Sequence, residues 1–144
     1  MKFLVAVDGS PASLRAVNLP IKFTMERQQA SMILLNVQNL AMLGLTEGAG
    51  IMLAAWIEEE EERAGEEALK GAVATCQAAG VMFTARSEKG APAATIDQIA
   101  REENVDHIIM GTRGLGSIRG LLVGSVATQV LAGATPCGCA RHSL

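Results

Sequence analysis

The chain has 144 residues, 49% of them hydrophobic, and a formal net charge of -3, which suits one compact domain over residues 1–144 and leaves no room for a second catalytic domain. The charge is uneven: residues 1–106 carry nine Lys/Arg against fifteen Asp/Glu, whereas residues 107–144 carry Arg113, Arg119 and Arg141 and no acid. Three arginines favour a bound anion in that last third but fall far short of the basic stripe of a nucleic-acid surface, and no apolar run approaches the roughly 18 residues of a membrane span.

The opening Lys2-Phe3-Leu4-Val5-Ala6-Val7-Asp8 lacks the longer apolar stretch and cleavage site of a secretory signal, so the expected setting is cytoplasmic. An odd count of three cysteines, Cys76, Cys137 and Cys139, points to free thiols rather than a disulfide framework. "FLVAV", residues 3–7, is a continuous apolar run, the pattern of a parallel strand buried on both faces. Asp8-Gly9-Ser10-Pro11 follows, in which Ser10 can cap a helix and Pro11 can occupy its first turn. Leu14, Val17 and Ile21 recur at helical spacing, and Pro20 is expected to kink or end that helix.

"SMILLNV", residues 31–37, is the second predicted strand, and 38–50, with Gly44, Gly48 and Gly50, reads as a loop. Residues 51–79 read as one long helix stopped at Gly80. Its run Glu58 to Glu62 is expected on a solvated face, supported by Glu59–Arg63 and Glu66–Lys70 pairs four apart. Trp56, Ile57, Leu69, Val73 and Cys76 form the expected apolar face, with Trp56 in the core.

"VMFTARS" at 81–87 is a third strand, a helix with Ile96, Ile99 and Ala100 on one side follows Gly90-Ala91-Pro92, and "HIIMG" from His107 is a fourth strand, with His107 an ordinary edge residue. Strands and helices alternating with crossovers of a dozen or more residues imply parallel strands with right-handed connections, hence an open α/β sheet covered on both faces. Ligands in such sheets bind at the carboxyl ends of the strands, where the strand order reverses. Asp8 and Gly111 both stand at strand exits.

"GTRGLGSIRGLLVGS", residues 111–125, holds five of the fifteen glycines. A dinucleotide fingerprint at Gly114-Leu115-Gly116 would follow an early strand and need an acid about 20 positions on, and no acid follows Asp106. A Walker A loop needs Gly-Lys-[Ser/Thr], and the last lysine is Lys89. What remains is Gly111-x2-Gly114-x9-Gly124-Ser125 opening a short helix, "SVATQVL". Glycines at a strand exit and a helix start let phosphate oxygens reach backbone N–H groups, and the helix dipole favours their charge without a lysine.

On these residues, together with "FLVAVDGS", "GAPAATIDQIA", "VDHIIMGTRG" and "GSVATQVL", the chain resembles the nucleotide-binding branch of the universal stress protein family over essentially its whole length. The resemblance implies an open doubly wound sheet of five mainly parallel strands, similar to the adenine nucleotide alpha hydrolases, and a homodimer. It implies ATP, or ADP or AMP, as ligand, with Mg²⁺ or Mn²⁺ held through the phosphates, and a stress or regulatory role. By position, Asp8 would face the nucleoside, Val37 would line the adenine pocket, and Met110 and Gly111 would flank the ribose and phosphates. Gly114, Gly124, Ser125 and Val126 would hold the phosphates. Arg113 and Arg119 lie in the intervening loop, either reaching the terminal phosphate or simply exposed. No catalytic or metal-ligating residue is assigned; a slow ATPase or phosphotransferase and a nucleotide-free dimeric scaffold are the alternatives.

The chain departs from the family at "TPCGCARHSL", where the family's terminal strand pairs at the dimer interface and where glycine and small residues are expected to make a weak strand. Cys137-x-Cys139-x2-His142 supplies three ligands where a structural zinc normally takes four, so packed or reactive thiols are expected there.

Overall fold

The computed structural model describes residues 1–26, 29–39, 51–111 and 140–143. They form β1 (Lys2–Ala6), α1 (Pro11–Glu26), β2 (Ser31–Gln38), α2 (Ile51–Ala79), β3 (Phe83–Lys89), α3 (Pro92–Glu102), β4 (His107–Met110) and β5 (Ala140–Ser143). The strands make one sheet in the order β3-β2-β1-β4-β5, parallel at every pairing. β1 lies at the centre because its side chains are apolar on both faces. Phe3, Val5 and Val7 join Met32, Leu34 and Ile109 under α1 and α2, while Leu4 joins Ile33, Leu35, Ile108 and Met110 under Ile96, Ile99 and Ala100 of α3. Helices therefore cover both faces, as the alternating pattern requires.

α1 does not end at Pro20. The helix continues to Glu26 with Pro20 fully buried beside Val17 and Ile21. Burying Val17 and Ile21 against the sheet is worth about 1.5–3 kcal/mol each, which offsets the roughly 3 kcal/mol that an interior proline costs. Thr24 Oγ1 also donates to the carbonyls of Pro20 and Ile21, at 3.1 and 2.8 Å.

α2 stops at Gly80 in a Schellman arrangement, in which Gly80 N–H bonds the Gln77 carbonyl and Val81 N–H bonds the Cys76 carbonyl. That cap takes the N–H of Val81 away from the sheet ladder, and β3 starts at Phe83 rather than at the expected residue 81. α3 ends the same way, with Asn104 at positive φ and Val105 N–H returning to the Ala100 carbonyl. The exposed ion pairs of α2 fall one step from expectation, Arg63 on Glu60 and Lys70 on Glu67, and at exposed positions they contribute little.

Two burial expectations are reversed. Trp56 is 58% exposed and not in the core, whereas Glu61, expected on the solvated face, is 4% exposed. Cys76 is the buried thiol of α2, 3.8 Å from Met32 Sδ, and desolvation pushes it up to about 11. His107 is no edge residue: β4 lies between β1 and β5, and the imidazole stacks on Phe3, whose ring also stacks on Phe23. The terminal segment forms a strand after all, with Ala140–Ser143 pairing along the whole of β4. Cys137 and Cys139 lie outside the described residues.

At the amino end of the sheet, Lys2 Nζ sits 2.6 Å from Glu103 Oε2, and Arg86 reaches Glu103 Oε1 at 3.2 Å, tying the end of α3 to β1 and β3. The Lys2 hydrogen bond, helped by the charges of Lys2 and Arg86, holds the Glu103 carboxyl below its ordinary value of 4.5. A lowered folded value means that this stabilisation is complete above the ordinary value and is lost as pH falls through the lowered one. Glu103→Gln is therefore expected to reduce the melting temperature near pH 6 and to flatten its decline between pH 6 and pH 3. Melting curves with the same acid slope as the parent would show that the cluster contributes nothing.

Candidate functional site

β1 leads to its neighbour β2 through α1 on one side, and β4 pairs with β1 on the other, so the strand order reverses between β1 and β4. Both strands end there, Ala6 opposite Met110, and β1 continues through Asp8-Gly9-Ser10 into the first turn of α1. The turn after β1 is built by its own side chains. Asp8 Oδ1 accepts the N–H of Ser10 at 2.9 Å, Ser10 Oγ caps α1 by accepting the N–H of Ser13 at 3.2 Å, and Ser13 Oγ donates to the Ser10 carbonyl at 2.9 Å. Gly9 supplies the positive φ, +81°, that lets this turn pass close to Ala68 of α2.

Gly111 meets the same turn from the other strand. A Cβ there would lie 2.9 Å from the Ala12 carbonyl carbon and 3.0 Å from Ser13 N, so the bare Cα is required by the backbone of α1 before any ligand is considered. Met110 is buried in the core on the α3 side, together with half-buried Val37 and Ala6 at the ends of β2 and β1. The carboxyl edge thus brings together Asp8, Val37, Met110 and Gly111 on three adjacent strands. Asp8 is partly exposed there, already serving as the turn's acceptor, while the Met110 side chain is sealed away and only its backbone borders the edge. Arg113, Gly114, Gly124, Ser125 and Val126 lie outside the described residues.

Four polar residues of this edge, Asn36, Gln38, Glu61 and Lys89, escape a reading of motifs. Asn36, 3% exposed, donates to the Val7 carbonyl at 2.8 Å and accepts from Gln38 Nε2 at 2.7 Å, pinning β2 to the exit of β1. Glu61 pairs with Lys89 at 3.0 Å, and that hydrogen bond raises the lysine above its ordinary value. The signals were present: Asn36 interrupts an otherwise apolar run, and positions 61, 65, 69, 72 and 76 form one helical stripe. Among the described residues no group of three His, Cys, Asp or Glu could hold a metal ion, and no helix is long and apolar enough to cross a membrane.

An open depression of about 670 Å³ lies at the opposite, amino end, bordered by Lys2, Ser31, Met82, Thr84, Arg86 and Glu103. Its charged groups are engaged with one another, and it faces away from the strand exits.

Residues 1–137 match the family model described as the universal stress protein family. The chain is similar to the universal stress protein YxiE of Bacillus subtilis (strain 168), at 31% identity over 134 residues covering 90% of each chain. Among solved structures, the universal stress protein UspA of Lactobacillus plantarum is similar with a TM-score of 0.81 at 21% identity, over 100% of this chain and 97% of that one. A universal stress protein family protein of Arabidopsis thaliana, solved with AMP bound, is similar with a TM-score of 0.59 at 20% identity, over 100% and 90%.

Proposed function

The chain belongs to the universal stress protein family, and from that premise we propose that it binds an adenine nucleotide, ATP or its ADP and AMP relatives, as a nucleotide-responsive module in a stress or regulatory pathway. The observation that carries this reading is the meeting of the β1 and β4 exits at the point of strand reversal, with Asp8 partly exposed beside it. The spacing Gly111-x2-Gly114-x9-Gly124-Ser125 supports a phosphate cradle in continuation of β4, and a structurally similar protein holds AMP.

Asp8 fits a nucleoside better than a phosphate, because a carboxylate accepts from hydroxyls and repels phosphate oxygens. Mg²⁺ or Mn²⁺, when bound with the phosphates, would neutralise their charge. Residues 107–144 contain no Asp or Glu, so no carboxylate base stands in the phosphate-binding segment, and ATP is read as ligand rather than substrate. The buried free thiol of Cys76 fits a reducing, cytoplasmic setting. Assembly as a homodimer belongs to the same proposal, supported by β5 standing at an end of the strand order.

Titration calorimetry with ATP, ADP and AMP tests the reading, with micromolar or weaker affinity expected, about -8 kcal/mol or less favourable. Absence of both heat and thermal shift at millimolar nucleotide would remove it. Asp8→Asn keeps the acceptor for Ser10 N–H and is expected to weaken all three nucleotides by a similar factor, since the nucleoside is common to them. Asp8→Ala also breaks the turn and should weaken them further. Loss confined to ATP would move Asp8 to the phosphate end.

A further inference from the structure

The stripe of α2 that faces the sheet changes character along its length. Leu69, Ala72 and Cys76 are buried in the apolar core. One turn earlier, Gly65 lies so close to Ser87 and Asn36 that a Cβ would fall 2.2 Å from Ser87 Oγ. A further turn out, Glu61 is held over Lys89, the last residue of β3, which is paired in register with Gln38, the last residue of β2. Glu61 therefore belongs to the carboxyl edge of the sheet, the edge of Asp8 and Val37.

Among the buried side-chain polar atoms of the described residues, one lacks a hydrogen-bond partner. Asn36 Nδ2 donates to the Val7 carbonyl, Asn36 Oδ1 accepts from Gln38 and Ser87, and Glu61 Oε2 accepts from Lys89 Nζ. Glu61 Oε1 is shielded from solvent and has no hydrogen-bond partner among the described residues. A buried carboxylate oxygen without a donor is costly to keep, and an added donor relieves it.

The chemistry of that donor follows from charge and position. Glu61 sits in the acidic run Glu58–Glu62, on the β2–β3 side of β1, whereas the acid-free residues 107–144 begin on the β4 side. A phosphorylated ligand spanning the edge would lay its anionic end toward β4 and its base toward β2 and Glu61. A base carbonyl facing Oε1 would be repelled, while an amino group would complete its hydrogen bonding. We propose that Glu61 reads the 6-amino group of the bound base and so selects a 6-aminopurine over a 6-oxopurine. The inference rests on the nucleotide-binding reading above and adds a specificity-determining residue to it.

The test titrates the parent and Glu61→Gln with ATP and with inosine triphosphate, which carries a carbonyl in place of the amino group. The parent should bind ATP about tenfold or more tightly than the inosine nucleotide, and Glu61→Gln, whose amide can donate to that carbonyl, should bring the ratio to within about threefold. An unchanged ratio in the variant, as expected if only a buried water satisfies Oε1, overturns the proposal while leaving nucleotide binding intact. Failure of the folded parent to bind either nucleotide is the separate failure of the nucleotide reading. Melting curves accompany each titration. Should Glu61→Gln not fold, purine riboside triphosphate, lacking both groups, decides on the parent alone: binding between the other two supports the proposal, and equal affinity for all three overturns it.

Discussion

Gly124→Asp is expected to abolish adenine-nucleotide binding, by about a hundredfold or more in affinity, with the fold retained. Gly124 directly precedes Ser125 and the predicted helix "SVATQVL", so a side chain there would intrude where a phosphate approaches the first N–H groups. A carboxylate adds like-charge juxtaposition, which alone costs several kcal/mol at close range. Gly124→Ala carries the steric part without the charge and should lose an intermediate amount. Calorimetry gives the affinities, and circular dichroism with a melting curve separates lost binding from lost structure, since a glycine needed at positive φ would destabilise the domain when replaced. A folded Gly124→Asp protein that binds ATP as the parent does would place the phosphates elsewhere.

Gly111→Ala is expected to destabilise the domain by about 1–3 kcal/mol, lowering the melting temperature by roughly 3–10 °C. The added Cβ would meet the Ala12 carbonyl carbon at 2.9 Å and Ser13 N at 3.0 Å. Both are backbone atoms at the capped start of α1, and neither can rotate aside. Relief requires the first turn of α1 to move, and the Asp8 turn is hydrogen-bonded to that turn through Ser10 and Ser13. Nucleotide affinity should fall together with stability, in contrast to Gly124→Asp. A melting temperature equal to the parent's would mean that β4 does not press on α1.

Strands β1, β2 and β4 are legible in the sequence because burial on both faces leaves an unbroken apolar run. β3 is less so: as an edge strand it carries Thr84, Arg86 and Glu88 on the face toward α3, and its start is set by the cap of the preceding helix rather than by its own residues. The length of α2 can be read from its pattern, but not how much sheet lies beneath it. Its 29 residues span about 43 Å, whereas the eight residues of β2 span about 26 Å. Glu61 already stands over the end of β3, so Trp56, more than a turn farther out, has no strand to cover it. The same mismatch hides the site. Asp8 and Gly111 declare themselves as strand exits, whereas Asn36 shows only as a polar break in an apolar run and Glu61 only as the acid on the helical stripe of 65, 69, 72 and 76; what they touch follows once β2, β3 and α2 are stacked.

The central position of β1 also governs the order in which the molecule can assemble. Its two partners are made long after it: Ser31 must emerge to begin one ladder, and His107 to begin the other. Until β4 arrives, one edge of the most apolar strand stays unpaired while much of the chain is still being synthesised. Ladders closed over such sequence separations fold slowly, and partly built sheets with open apolar edges are the species that associate wrongly. For this topology the hazardous interval is the wait for β4, and substitutions that weaken the β1–β4 ladder should be felt in the yield of folded protein before they are felt in the melting temperature of what has folded.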